Sequence, residues 1–150
     1  MNNRQIFLNH IGQTSPTPLA IEIVRAEGCR LFGPDNMEYI DLIGGISVGN
    51  IGHGNKKVIE AIVKQVNQYL HVMVNGELVL SPQTCYAKLL TENLPAELNA
   101  VFFTASGTEA TEGAMKLAKR FTGRTNICAF NKSYHGSTQG ALSIMGDEYW

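Results

Sequence analysis

Residues 100–130 leave little choice of architecture. Ala100-Val101-Phe102-Phe103-Thr104 is a short apolar run of strand length, and Ala105-Ser106-Gly107-Thr108 turns the chain. Ala110, Ala114, Leu117, Ala118 and Phe121 then recur on one face of a helix that Gly123 ends. Thr125 to Phe130 reads as a second buried strand, with Asn131–Gly136 as its exit loop. Strand, helix and strand within about thirty residues form the βαβ unit of a parallel sheet, which predicts an α/β fold.

The preceding residues read differently. Residues 1–18 are polar and end in Ser15-Pro16-Thr17-Pro18, which predicts an irregular arm. Three strand candidates follow at Leu19–Arg25, Cys29–Phe32 and Glu38–Ile43. Their turns, Glu27-Gly28 and Gly33-Pro34-Asp35-Asn36, are built from residues that favour turns for steric reasons, so an antiparallel meander is expected. Residues 44–54 are glycine-rich and predict a loop. From Asn55 to Leu70 the apolar positions Val58, Ile59, Ile62, Val63, Val66, Tyr69 and Leu70 recur at helical spacing, with Asn55 as the cap. Ser81-Pro82 places a cap before a proline and predicts a helix that stops near Leu94-Pro95.

Composition narrows the function classes. With 44% hydrophobic and 17% charged residues and a formal net charge of −1, the chain falls among soluble globular proteins. No basic stripe suggests nucleic acid, and no run approaches the ~20 apolar residues of a membrane span. Cys29, Cys85 and Cys128 are odd in number and widely spaced, which suggests neither a disulfide framework nor a zinc site. A cytoplasmic location is the simplest expectation. His10, His53, His71 and His135 lack metal-ligand spacing, and no GxxxxGK[ST], HExxH or GxSxG run occurs.

Two stretches offer chemistry. At Ser106-Gly107-Thr108-Glu109, a helix N-terminus would present unpaired N–H groups and a partial positive charge, which suit a phosphate. Gly107 would let a ligand approach the backbone, and Ser106 and Thr108 offer hydroxyls. The same residues also spell a capping box, Ser106 capping forwards and Glu109 capping back, and that reading needs no ligand. Glu109 opposes an anion unless its side chain turns away. The second stretch is Ser133-Tyr134-His135-Gly136. Loops at the carboxyl ends of parallel strands gather into one crevice, so Tyr134 could stack on a flat ring held there. Alternatively, Tyr134 is an ordinary half-buried aromatic and His135 a surface residue. The glycine loop at 44–54 resembles a dinucleotide fingerprint, but Gly52-His53-Gly54-Asn55 lacks the last glycine, and no strand ending in an acid follows at the proper distance.

Together these segments resemble the class III aminotransferases, the group that includes acetylornithine, ornithine and 4-aminobutyrate aminotransferases. Three stretches between about Pro16 and Gly146 carry the resemblance. They are Tyr39-Ile40-Asp41-Leu42 with the glycine loop to Gly52-His53, then Phe103-Thr104-Ala105-Ser106-Gly107-Thr108-Glu109-Ala110, then Ser133-Tyr134-His135-Gly136 leading to Gly140-Ala141-Leu142-Ser143. The resemblance implies a fold-type I transferase that binds pyridoxal 5'-phosphate. Ser106, Gly107 and Thr108 would take its phosphate, Tyr134 would stack on its ring, and Asp41 and His53 would be structural. It also implies amino-group transfer from an amino acid or ω-amine to a 2-oxo acid, and a homodimer. Residues 1–54 would contribute to a small domain, and residues 55–150 would begin the large cofactor-binding domain.

Two positions depart from the family pattern. Ser137 stands where many members carry an arginine that grips a substrate carboxylate, and a serine cannot supply that charged bidentate clamp. Ile46 stands near a tyrosine of the ornithine enzymes. Both departures point to a less polar amino donor. The chemistry also needs a lysine that forms an imine with the cofactor and an acid at the pyridine nitrogen. Lys56, Lys57, Lys64, Lys88, Lys116, Lys119 and Lys132 do not match the family's catalytic motif. No catalytic residue is therefore expected in this chain, which reads as part of a longer enzyme. Two other readings stay open: a non-catalytic binding or assembly domain of the same fold, and a nucleotide-dependent enzyme using the 44–54 loop.

Overall fold

A computed structural model describes residues 1–73 and 76–149. The chain divides into two units, Met1–Val72 and Met73–Trp150.

The first unit opens with a helix, α1 (Asn3–His10), where an irregular arm was expected. Its cause is local. Asn2 caps the helix by accepting from the Gln5 N–H at 2.9 Å, and the Gln5 side chain accepts from the Asn2 N–H at 3.0 Å. This reciprocal pair satisfies two donors that a helix start otherwise leaves open. The meander follows as β1 (Arg25–Glu27), β2 (Arg30–Phe32) and β3 (Glu38–Ile40), antiparallel in the order β1-β2-β3. Arg25 faces Phe32 across β1 and β2, with its guanidinium 3.6 Å from the ring centroid. The strand expected at Leu19–Arg25 therefore begins only where β2 supplies a partner. Residues 19–24 carry no ladder, although the Val24 N–H reaches the Phe32 carbonyl at 2.9 Å.

The glycine loop contains one helical turn, α2 (Gly44–Ser47), in which Gly45 and Ile46 are left-handed. Next comes α3 (Lys56–Gln68), capped as expected by Asn55, whose side chain accepts from the Lys57 and Val58 N–H groups. Its stripe of Val58, Ile59, Ile62, Val63 and Val66 is 42–57% exposed.

The second unit contains α4 (Ser81–Glu92), α5 (Gly107–Thr122) and α6 (Gln139–Ser143). In α4 the cap is Leu80 rather than Ser81, which is the first helical residue. Ser106 caps α5, and Gly123, with φ +69°, closes it in the left-handed conformation that glycine adopts without steric cost. The runs at 100–104 and 125–130 form no ladder among the described residues. That corrects the expectation of a paired βαβ unit within this chain. A strand exists only when another backbone lies about 4.8 Å beside it, and neither run has such a neighbour here. Phe103 instead meets Tyr86 of α4, ring centroids 6.0 Å apart. Among the described residues, Ala141 is the only fully buried apolar side chain, and it sits where α6 meets α5. No described helix is long and apolar enough to cross a membrane.

Candidate functional site

The turn into α5 shows both of its expected faces. Ser106 Oγ accepts from the Glu109 N–H at 3.3 Å, the capping interaction. Glu109 Oε2 accepts from the Ala105 N–H at 2.8 Å, so its carboxylate turns back past the cap and does not engage the N–H groups of Gly107 or Thr108. Those two groups have no partner among the described residues. Gly107 is also free of internal reasons to be glycine. A Cβ there would meet nothing within 4 Å, and its backbone is helical. The helix N-terminus is thus open to an approaching group on the side where two donors point outwards.

The exit loop of the second apolar run packs onto this turn. Thr111 Oγ1 donates to the His135 carbonyl at 3.2 Å. Gly136 is buried with φ +126°, and a Cβ there would overlap the Thr108 side chain. Only glycine permits so close an approach. Next to it, Thr138 Oγ1 lies 2.6 Å from Thr108 Oγ1, and the Thr138 N–H donates to Thr108 Oγ1 at 3.3 Å. Ser106, Gly107, Thr108, Tyr134 and Ser137, five of the residues singled out in the sequence, are therefore gathered by α5 and one docked loop. Tyr134 is 62% exposed, and its hydroxyl lies 2.9 Å from Ser137 Oγ. His135 is half-buried, with its ring nitrogen 2.9 Å from Ser133 Oγ, rather than a free surface residue.

Glu112 completes the junction, and sequence reasoning missed it. Its Oε1 accepts from Thr138 Oγ1 at 2.7 Å, from the Gly140 N–H at 2.9 Å and from the Ala141 N–H at 3.1 Å. These donors, the Thr138 hydroxyl first among them, hold its carboxyl below the usual range, so it is ionised at neutral pH. A signal was present: Glu112 lies one helical turn after Thr108, on the same face.

Ile46, the other candidate substrate contact, belongs to the first unit. It is 85% exposed at φ +59°, a conformation that a β-branched residue rarely adopts. Nearby in that unit, Asp41 ties the glycine loop together. Its Oδ1 accepts from the Ile43 and Gly44 N–H groups, and its Oδ2 lies 2.7 Å from His53 Nε2. The His53 contact is the largest cause that lowers the Asp41 pKa. His53 also exchanges two backbone hydrogen bonds with Gly28, at 2.8 and 2.9 Å. Both ends of the loop resembling a nucleotide fingerprint are thus tied down, through Asp41 at Gly44 and at His53 and through the Gly28 backbone at His53.

The family model of the class III aminotransferases matches residues 11–149. The chain belongs to that family. It is 44% identical over 123 residues to the acetylornithine aminotransferase of Methanopyrus kandleri, covering 82% of this chain and 31% of that one. It is 36% identical over 129 residues to a leucine/methionine racemase of Thermococcus litoralis, covering 86% and 29%. Among solved structures, the taurine:2-oxoglutarate aminotransferase of Bifidobacterium kashiwanohense, in complex with PLP and glutamate, superposes with a TM-score of 0.83 at 29% identity. That match covers 95% of this chain and 32% of the other. The fold is therefore that of the fold-type I transaminases, and the chain spans about a third of the length of these relatives.

Proposed function

We propose that the full-length protein is a pyridoxal-phosphate-dependent aminotransferase, and that this chain supplies the phosphate and ring contacts of its cofactor. The observation that carries the reading is the open pair of N–H donors at Gly107 and Thr108, flanked by the docked Tyr134 loop. A phosphate needs backbone donors at a helix N-terminus and room to reach them, and both are present. A pyridine ring needs a flat apolar face, which Tyr134 offers. When bound, the cofactor supplies the electron sink for amino-group transfer. The roles of this chain are to grip the phosphate with Gly107, Thr108 and the free hydroxyl hydrogen of Ser106, and to set the ring height with Tyr134.

Ser137 is engaged with the Tyr134 hydroxyl and carries no charge, so it offers a substrate carboxylate no clamp. With Ile46 apolar, the amino donor is of a less polar type than a dicarboxylate or ornithine. The racemase relative favours a second reading of the same site, in which the amino group stays on its carbon and the α-hydrogen is removed and returned on the opposite face. One experiment separates the readings. The full-length protein, loaded with pyridoxal phosphate, is given branched-chain amino acids and ω-amines with and without a 2-oxo acid. Turnover that requires the oxo acid supports amino transfer. Loss of optical activity without it supports the racemase, and neither, in a cofactor-loaded protein, leaves a non-catalytic domain.

A further inference from the structure

The two threonines and Glu112 form a directed relay. Glu112 is an ionised carboxylate and can only accept. The single hydroxyl hydrogen of Thr138 goes to Glu112 Oε1, at 2.7 Å. Thr138 Oγ1 can then meet Thr108 Oγ1, at 2.6 Å, only as the acceptor, so the Thr108 hydroxyl donates to Thr138. The remaining role of Thr108 Oγ1 is filled by the Thr138 N–H at 3.3 Å. No hydroxyl hydrogen of Thr108 is left for an anion.

We infer that Glu112 is a positioning residue that, through Thr138, turns the Thr108 hydroxyl away from the phosphate and onto the Tyr134–Thr138 loop. The phosphate is then received at Thr108 by the backbone N–H alone, while the side chain fastens the ring-stacking loop to the phosphate turn. This inference rests on the phosphate reading proposed above. It differs from the simpler assignment in which the threonine hydroxyl donates directly to the phosphate.

The test uses the full-length apo-protein, titrated by fluorescence with pyridoxal phosphate and with pyridoxal. The ratio of the two dissociation constants isolates the phosphate contribution, because ring and aldehyde contributions cancel. Thr108→Val, nearly isosteric, should leave this ratio within about threefold of the parent. A direct hydroxyl donor would instead lose roughly ten- to a hundredfold, the usual worth of a hydrogen bond to a charged group. In the Glu112→Ala background the relay is released and the Thr108 hydroxyl can turn to the anion. There Thr108→Val should lower the ratio at least about fivefold, whereas Glu112→Gln, which keeps an acceptor oxygen, should behave as the parent. Such coupling is what a double-mutant cycle measures. A Glu112 that merely stabilised the fold would leave the effect of Thr108→Val equal in both backgrounds, whether silent or costly, and either result overturns the inference. Gly107→Pro distinguishes the failure of the phosphate reading itself. If removal of that N–H leaves the ratio unchanged in a folded protein, the phosphate binds elsewhere and the relay serves only the loop.

Discussion

Gly107 is the first helical residue of α5, and that place allows an unusual experiment. Proline is well tolerated at the first helical position, because the N–H it lacks has no partner within the helix and its fixed φ suits the helix. The preceding residue, Ser106, has φ −155° and ψ 161°, the extended region that a following proline demands. Gly107→Pro should therefore preserve the fold and even raise stability by about 0.4–1 kcal/mol, through a less flexible unfolded chain. It deletes one of the two N–H donors assigned to the phosphate. A hydrogen bond to a charged group is worth about 1.5–3 kcal/mol, so pyridoxal phosphate should bind roughly ten- to a hundredfold more weakly. Pyridoxal, which lacks the phosphate, should be little affected. Fluorescence titration of the apo-protein with both ligands reads the difference, and thermal melting checks the fold. Gly107→Ala is the control. It keeps the N–H, and its Cβ meets no protein atom within 4 Å, so any loss it shows is the steric cost to the phosphate and only the further loss in Gly107→Pro reports the missing donor. A stable Gly107→Pro protein with parental affinity for pyridoxal phosphate would refute the placement of the phosphate at this turn.

Other expectations follow from the same geometry. Tyr134→Phe should be mild, since it keeps the ring while giving up the hydroxyl contact with Ser137; Tyr134→Ala should lose at least the ~0.5–1.5 kcal/mol of stacking beyond burial, read as cofactor affinity. Gly136→Ala should destabilise by about 1–3 kcal/mol, since its Cβ overlaps Thr108 and its φ is +126°, and the loss should appear in the melting temperature of the full-length protein. Asp41 has a lowered folded pKa, so its stabilisation is complete above the unfolded value of about 4 and is lost as pH falls through the folded value. Acid titration monitored by circular dichroism should show that loss in the parent and a flatter acid limb in Asp41→Asn. The 150-residue chain alone, assayed with pyridoxal phosphate and a panel of amines, should show no turnover above that of the free cofactor.

What could be read in the residues depended on how local its cause was. The α3 and α5 helices were legible because periodicity, cap and stop all lie within the segment: Asn55 opens one, Ser106 and Gly123 bound the other. The α1 helix had its signal too, in Asn2 and Gln5, but its polar surroundings carried no apolar stripe to announce it. The runs at 100–104 and 125–130 were legible as apolar and extended, yet a ladder depends on a second backbone that no local pattern specifies. At the site, Ser106, Gly107 and Thr108 declared themselves by type and spacing. Glu112 showed only its place one helical turn after Thr108, and Thr138 showed nothing, because their roles arise from a meeting across 26 residues that the docked loop creates.

That docking also bears on how the protein folds. The hydrogen bonds joining the α5 turn to the Tyr134 loop link residues 24 to 30 apart. Closing a loop of about thirty residues costs only about 1 kcal/mol more than closing one of ten, and contacts of such short range favour fast folding. The two halves of the proposed cofactor grip thus meet at little extra entropic cost, through hydrogen bonds that all lie within residues 106–141.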